Sequence, residues 1–226
     1  MLDKLKKIGE GNTAEIFQLD NNRILKLFKA GYSKEAMLHE YRNHQVVSSL
    51  LESVPKPYEI AEENGRFGYI MEKINGTNLA ELLLNEQTFT DAMKQFVSLH
   101  KEWNKEANRD IISYKDWMKN ILGNRENTSK VLEKINQLPD GNILCHGDFH
   151  PYNILVTGEN ETIVIDFANV CKAPKEYDIA RTFFLMEEEG ANQLADIYLE
   201  MWQVRLNEIQ QFYEVIQQLR KYELEP

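Results

Sequence analysis

No apolar run in this chain approaches the roughly 18 residues that a membrane-spanning helix needs, so no membrane association is expected. The first seven residues, MLDKLKK, lack the apolar core and the small-residue cleavage site of a secretory signal. Cysteine is scarce: Cys145 and Cys171 are too few for a disulfide framework or a cysteine-based zinc site, and they suit a reducing compartment. These absences together predict a cytoplasmic protein.

The chain also lacks an excess of positive charge. It carries 26 Lys and Arg against 36 Asp and Glu, a net charge of −10. Residues 141–226 hold 15 acids and 6 bases (net −9), which leaves 21 acids and 20 bases (net −1) for residues 1–140. An acidic half repels phosphate backbones, so nucleic acid is not an expected partner, whereas a cationic small molecule would be attracted. A solubilising surface is the commoner explanation of the same charge.

Internal repeats and low-complexity segments are absent, and 226 residues allow one large domain or two small lobes. Up to residue 72 the hydrophobic pattern predicts short strands around one helix. Beyond residue 78 it predicts mostly helices, interrupted by a β-rich stretch over 142–167. The predicted strands are 5–8, 15–19, 23–28, 58–62, 66–72, 143–145, 154–156 and 162–165. The predicted helices are 33–51, 79–84, 90–103, 114–122, 129–137, 176–187 and 193–222.

The strongest chemical signal is the segment 145–155, CHGDFHPYNIL, followed by IVIDF at 163–167. Asn153 lies five residues after Asp148, and Asp166 lies thirteen after Asn153. Phosphoryl transfer needs these residue types: an aspartate that orients the attacking hydroxyl and accepts its proton, and oxygen ligands that hold Mg²⁺ against the phosphates. A polar turn with an unrelated later aspartate is the alternative, and the combined spacing argues against it. We therefore assign Asp148 as the catalytic residue and Asn153 and Asp166 as metal ligands.

A second signal precedes it, in which Gly9 and Gly11 come before a strand that carries Lys26. A Gly-x-Gly turn lets backbone amides approach phosphates, and Lys26 would pair with the α- and β-phosphates. Taken alone, the pattern also fits a plain hairpin with a surface lysine. Neither a Walker A pattern nor a complete Gly-x-Gly-x-x-Gly is present, because Ala14 takes the third position.

An acidic residue on the first helix would hold Lys26 in place, as a helix glutamate holds the strand lysine in kinases. Glu40 and Glu35 are both available for this role. Glu40 is favoured, because Glu35 falls in the first turn of the predicted helix.

Together these motifs resemble the aminoglycoside phosphotransferase and choline kinase superfamily, which shares the protein-kinase-like fold. The family loop His-Gly-Asp-x-His-x-x-Asn matches His146, Gly147, Asp148, His150 and Asn153, and the later motifs match Ile165-Asp166-Phe167 and Asp178-Ile179-Ala180. The resemblance implies an α+β bilobal fold that uses ATP or GTP with Mg²⁺. It also places Met71 behind the adenine, with backbone groups of Glu72 and Ile74 near the adenine edge.

The predicted organisation is a nucleotide-binding lobe over residues 1–72, a hinge over 73–77 and a helical lobe with the catalytic loop over 78–226. The predicted activity is transfer of a nucleotide γ-phosphate to a hydroxyl of a neutral or cationic small molecule, such as an aminoglycoside, choline, another amino alcohol or a sugar. Only eleven residues separate Asp166 from Asp178, which leaves no room for a protein-kinase activation segment. The alternatives are a kinase-like nucleotide-binding regulator and a small atypical protein kinase. The sequence leaves the acceptor, the preferred nucleotide and the oligomeric state open.

Overall fold

A computed structural model describes residues 5–107 and 110–224 of the protein. Residues 1–4, which belong to the N-terminal segment expected to lack a secretory signal, lie outside the described residues. The chain divides into two compact units. We call them the sheet unit (Met1–Leu79 with Tyr152–Ala168) and the helical unit (Ala80–Pro151 with Asn169–Pro226).

The sheet unit is built on a five-stranded antiparallel sheet with the strand order β1-β2-β3-β5-β4. Central strand β3 pairs with β2 on one side and β5 on the other, and its last five residues are buried. The strands are β1 (Lys6–Glu10), β2 (Ala14–Gln18), β3 (Arg23–Phe28), β4 (Pro57–Glu63) and β5 (Arg66–Glu72). A second sheet of the unit, in the order β6-β8-β9, contains β6 (Gly76–Asn78), β8 (Ile154–Thr157) and β9 (Thr162–Val164). Two residues of the segment predicted to be a hinge, Gly76 and Thr77, lie in β6.

One helix, α1 (Lys34–Leu50), covers the five-stranded sheet. It begins where the sequence predicts, because the Ser33 hydroxyl accepts a hydrogen bond from the N–H of Ala36 and caps the first turn. Its residues Met37 and Tyr41 are buried in one cluster with Phe28 and Tyr69 of the sheet. Each such side chain contributes about 1.5–3 kcal/mol by leaving water, so this face fixes the rotation of α1 about its axis.

The helical unit contains seven helices within its described residues, together with a two-stranded antiparallel ribbon of β7 and β10. Its ribbon precedes and follows the chain segment that carries the predicted catalytic loop. The elements are α2 (Leu79–Leu83, which starts at the unit boundary), α3 (Phe89–Trp103), α4 (Tyr114–Leu122), α5 (Ser129–Gln137), β7 (Ile143–Cys145), β10 (Cys171–Ala173), α6 (Lys175–Glu188), α7 (Asn192–Trp202) and α8 (Leu206–Leu224). Within the described ranges 5–107 and 110–224, no helix is both long enough and apolar enough to cross a membrane.

The prediction of a single helix over 193–222 was wrong. Gln203 adopts a left-handed backbone conformation (φ 58°) that ends α7. Glu208 then accepts a hydrogen bond at 2.9 Å from the N–H of Arg205 and starts α8. The break was missed because neither Gly nor Pro marks it. Strand β10 (Cys171–Ala173), which pairs with β7, was also missed.

Candidate active site

The sheet unit buries an ammonium group between two carboxylates. Lys26 on β3 is 6% exposed, and its Nζ lies 2.6 Å from Oε1 of Glu40 and 3.4 Å from Oδ1 of Asp166. Glu40 is 1% exposed and its Oε1 also accepts a hydrogen bond from the Tyr69 hydroxyl at 2.8 Å. Three residues predicted from sequence therefore meet at one point, while the rival Glu35 is exposed in the first turn of α1.

The ammonium of Lys26 is stabilised by the two carboxylates of this cluster. Burial disfavours the charge of Lys26, but the carboxylates of Asp166 and Glu40 outweigh it and raise its pKa above the ordinary value. Burial likewise raises the pKa of Glu40, and the Lys26 ammonium opposes that rise. The lysine is thus held as a cation inside the unit, in the state needed to bind an anion.

Replacing Glu40 by Ala is expected to destabilise the protein by about 3 kcal/mol, because it leaves the buried Lys26 ammonium with only the more distant carboxylate of Asp166. Glu35→Ala is the matched control: it removes an exposed carboxylate from the first turn of the same helix and should destabilise the protein by less than about 1 kcal/mol. Chemical denaturation of both variants measures the difference. Equal stability of the two variants would contradict the assignment of Glu40.

Asp166 follows β9 in a left-handed conformation (φ 69°) that is uncommon for a residue other than glycine. Its side chain is 41% exposed, so the carboxylate is accessible to an ion although one of its oxygens faces Lys26. Asn153 ends a 3₁₀ turn just before β8 and is 9% exposed. Its backbone carbonyl oxygen accepts a hydrogen bond from the N–H of Ile165 at 2.9 Å. The backbone therefore ties Asn153 to the residue that precedes Asp166.

The donor set of these two residues fits Mg²⁺. A carboxylate and a carboxamide oxygen are hard ligands, which this cation prefers. Among residues 5–107 and 110–224, no cluster of three or more His, Cys, Asp or Glu could hold a metal ion by itself. Mg²⁺ commonly binds through one or two protein oxygens together with substrate phosphates, so a two-residue site suits it.

The predicted phosphate-binding glycines lie at the tip of the β1–β2 hairpin. Gly9 belongs to β1, next to an irregularity in its register with β2, and Gly11 donates a hydrogen bond to the carbonyl of Ala14 at 2.8 Å. A methyl group at Gly9 would meet only Ile16 at 3.6 Å, and one at Gly11 would meet only the Ala14 oxygen at 3.8 Å. Packing within the fold does not require glycine at either position, which fits close approach by a ligand.

The residues predicted near an adenine lie at the end of β5 and just after it. Met71 is buried in the cluster under α1, and the N–H of Glu72 donates to the carbonyl of Lys56 at 2.9 Å. Because this N–H is engaged within the protein, a base would have to use the carbonyl of Glu72 or the backbone of Ile74.

The predicted catalytic loop begins in the helical unit, directly after β7. Asp148 is partly buried, and its Oδ2 lies 3.6 Å from Nε2 of His150. Burial works against its charge, but His150, Arg181 and His146 outweigh it and lower the pKa of Asp148 to about 2. The carboxylate is therefore ionised at neutral pH. His146 is fully buried and accepts a hydrogen bond from the N–H of Asp148 at Nδ1, in keeping with a scaffold residue.

Asp178, at the start of α6, holds this loop, although sequence reasoning did not assign it to the site. Its Oδ2 accepts hydrogen bonds from the N–H of His146 (2.8 Å) and from Nε2 of His100 (3.0 Å), and its Oδ1 accepts one from the N–H of Gly147 (2.9 Å). Burial is offset by these donors, and the pKa of Asp178 is lowered. The signal in the sequence was the resemblance of Asp178-Ile179-Ala180 to a family motif, to which no part in the site had been assigned.

Gly147 shows how closely the loop is packed. Its φ is +75°, and a side chain there would come within 2.3 Å of the Asn169 carbonyl oxygen. Only glycine fits this position. The backbone conformation at Gly147 therefore fixes the direction in which the chain enters Asp148.

A family model described as the phosphotransferase enzyme family matches residues 4–215, and the chain belongs to that family. A search of curated protein sequences gave no significant match.

Solved structures that resemble the chain share its fold at low sequence identity. A thermostable mutant of aminoglycoside phosphotransferase APH(4)-Ia, in ternary complex with AMP-PNP and hygromycin B, gives a TM-score of 0.71 at 15% identity over 97% of this chain and 86% of that one. Aminoglycoside phosphotransferase APH(3″)-Id from Streptomyces rimosus, with ADP and streptomycin, gives 0.66 at 14% over 95% and 92%. Choline kinase LicA from Streptococcus pneumoniae gives 0.65 at 16% over 99% and 87%. The α+β protein-kinase-like fold expected from the sequence is thereby confirmed.

Proposed function

We propose that the protein is a small-molecule kinase that transfers the γ-phosphate of ATP or GTP to a hydroxyl of a neutral or cationic acceptor. The observation that carries this proposal is the Lys26 ammonium, buried 2.6 Å from Glu40 and 3.4 Å from Asp166. An ordinary structural ion pair needs one acid and no accessible second carboxylate. A cation held beside an accessible acid suits a ligand that brings both phosphates and a metal ion.

Each residue has a part in the transfer. Lys26 binds phosphate oxygens, the turn at Gly9 and Gly11 lets backbone amides approach them, and Asn153 and Asp166 hold Mg²⁺. When bound, Mg²⁺ neutralises charge on the β- and γ-phosphates. Asp148 accepts a hydrogen bond from the acceptor hydroxyl and orients its oxygen.

The acceptor oxygen forms a bond to the γ-phosphorus, and the bond from that phosphorus to the β–γ bridging oxygen breaks. The bridging electrons leave with the nucleoside diphosphate, and the hydroxyl proton passes to Asp148. A carboxylate with a pKa of about 2 is a weak base, so it acts mainly by orientation. This agrees with a loose transition state, in which little proton transfer precedes bond cleavage.

The comparisons supply a consistent background for this proposal. The solved structures that share the fold include complexes with AMP-PNP and ADP and with the aminoglycosides hygromycin B and streptomycin. A nucleotide and a polar, hydroxyl-bearing small molecule are therefore the substrate classes to test first.

The acceptor is expected to be neutral or cationic, because residues 141–226 carry a net charge of −9. Several of these acids are neutralised locally: Glu188 binds Arg220 at 2.6 Å, and Glu223 binds Arg181 at 2.9 Å. Such pairs cancel equal numbers of acids and bases, so the excess of nine negative charges persists. A surface of one sign concentrates ligands of the opposite sign, and salt weakens the effect.

A panel of amines, amino sugars, neutral polyols and anionic sugars, assayed for consumption of ATP and of GTP at low and high salt, tests this expectation. Turnover is expected with amines or neutral acceptors, with a higher kcat/KM for amines at low salt. Nucleotide consumption by Asp148→Asn under the same conditions gives the background. Efficient turnover of an anionic acceptor with no preference for amines would contradict the electrostatic argument. Tight nucleotide binding with no turnover across the panel would favour a nucleotide-binding regulator.

A further inference from the structure

The backbone at Asp166 is held in a conformation that the residue itself does not favour. For a non-glycine residue the left-handed region costs of order 1–3 kcal/mol, so neighbouring contacts must stabilise it. On the N-terminal side, the hydrogen bond from Ile165 to the Asn153 carbonyl supplies one such contact. The residue on the C-terminal side is Phe167.

Two consecutive side chains of α1 hold Phe167. Nδ2 of Asn43 donates a hydrogen bond to the Phe167 carbonyl at 3.0 Å, and the His44 ring packs on the Phe167 ring with centroids 4.2 Å apart. Phe167 is 1% exposed, so both contacts lie in the interior of the sheet unit. The peptide group that follows Phe167, one residue beyond Asp166, is therefore anchored by an amide donor from a distant part of the chain.

Burying the side chain of Asn43 at this position costs free energy. It is 5% exposed, and burying a carboxamide costs about 1–3 kcal/mol unless its groups are hydrogen-bonded. Its second close contact, Nδ2 to Nε2 of His39 at 3.2 Å, lies on the same helix and would be available in any arrangement of the unit. The contact to Phe167, in contrast, links the buried Asn43 amide to a distant part of the chain.

Helix α1 thus reaches the metal-ligand segment at two points. Glu40 holds Lys26, which contacts the Asp166 carboxylate, and Asn43, three residues along the helix, holds the backbone just beyond Asp166. Residues three apart lie on the same side of a helix, so one placement of α1 sets both contacts.

We propose that Asn43 is a positioning residue for the metal ligand Asp166: its amide fixes the Phe167 carbonyl and thereby the direction of the Asp166 carboxylate. This inference rests on the proposed function, in which Asp166 binds Mg²⁺. Hydrogen-bond partners that orient a metal ligand are typically worth about 10–100-fold in metal affinity.

The test compares AMP-PNP binding to the full chain in EDTA and in MgCl₂ by calorimetry. The ratio of the two dissociation constants is the metal-dependent gain in affinity. Asn43→Leu, which keeps the volume and removes the donor, is expected to lower this gain by about ten-fold or more, with the dissociation constant in EDTA unchanged. Asn43→Ala is the second variant, should the leucine disturb the packing.

The matched control is Asn104→Leu. Asn104 also donates its amide to a backbone carbonyl, that of His100 at 2.9 Å, but it belongs to the helical unit and should leave the metal-dependent gain unchanged. A merely structural role of Asn43 would instead lower the melting temperature and shift both dissociation constants together, which would overturn the proposal.

Asp166→Ala in the same assay separates the inference from the proposed function. If Asp166→Ala loses the gain and both Asn43 variants keep it, the inference about Asn43 is overturned and the metal site stands. If Asp166→Ala keeps the gain, the metal assignment fails and the inference fails with it.

Discussion

Replacing Asp148 by Asn is expected to lower kcat by about 10²-fold or more, because it removes the charged carboxylate that orients the acceptor hydroxyl and receives its proton. The carboxylate is ionised, since its pKa is about 2, and it projects from a loop whose backbone is fixed by Asp178 and Gly147. Asparagine keeps the shape of the side chain but can neither accept the proton nor attract it. The measurement is steady-state kinetics with an acceptor identified from the panel.

Nucleotide binding should separate this loss from misfolding. Asp148→Asn is expected to bind AMP-PNP with Mg²⁺ as the unmodified protein does, because Lys26, Asn153 and Asp166 remain. Asp140→Asn is the control: Asp140 is exposed, and its ion pair with Lys115 contributes little. Unchanged kcat in Asp148→Asn would show that another group orients the hydroxyl.

Replacing Asp166 by Ala is expected to abolish most of the contribution of Mg²⁺ to nucleotide binding. Losing a direct ligand should cost at least as much as losing a group that only orients one, so we expect a reduction of about 100-fold or more in metal-dependent affinity. Lys26 keeps Glu40 as a partner at 2.6 Å, so metal-free nucleotide binding should persist. Calorimetry over a range of Mg²⁺ concentrations measures both quantities.

The control for Asp166 is Asp20→Ala in the same unit. Asp20 lies in an exposed turn, where its Oδ2 accepts a hydrogen bond from Arg23 at 2.7 Å. It should leave the dependence on Mg²⁺ unchanged. If Asp166→Ala shows the same Mg²⁺ dependence as Asp20→Ala, the metal lies elsewhere.

Local signals in the sequence predicted the elements that they encode directly. Ser33 caps α1 as expected, and Asn64-Gly65 forms the turn between β4 and β5 with positive φ at both residues (53° and 72°). The position of Lys26 on a strand and that of Glu40 on the following helix were likewise accessible, because each depends on periodicity over a few residues. Their contact is a consequence of packing the helix on the sheet.

Features that depend on partners far away along the chain could not be predicted from the sequence. Asn43 reads as an ordinary helix residue, since its partner Phe167 lies 124 positions away. Asp178 accepts hydrogen bonds from Gly147 and His146, which lie 31 and 32 residues earlier in the chain, and a single sequence does not reveal such pairs. The left-handed backbone at Asp166 was missed for the same reason: it is imposed by contacts and not by the residue type.

The hydrogen bonds accepted by Asp178 also bear on how activity returns after unfolding. They join the loop to Asp178 of α6 across 31 and 32 positions, and they join Asp178 to His100 across 78. Closing loops over such distances costs chain entropy, and the formation of local helices does not offset this cost. In a refolding experiment, helical circular dichroism should therefore recover before catalytic turnover. The slower phase should lengthen in variants that weaken the Asp178 contacts, so the catalytic loop would be among the last parts of the chain to become native.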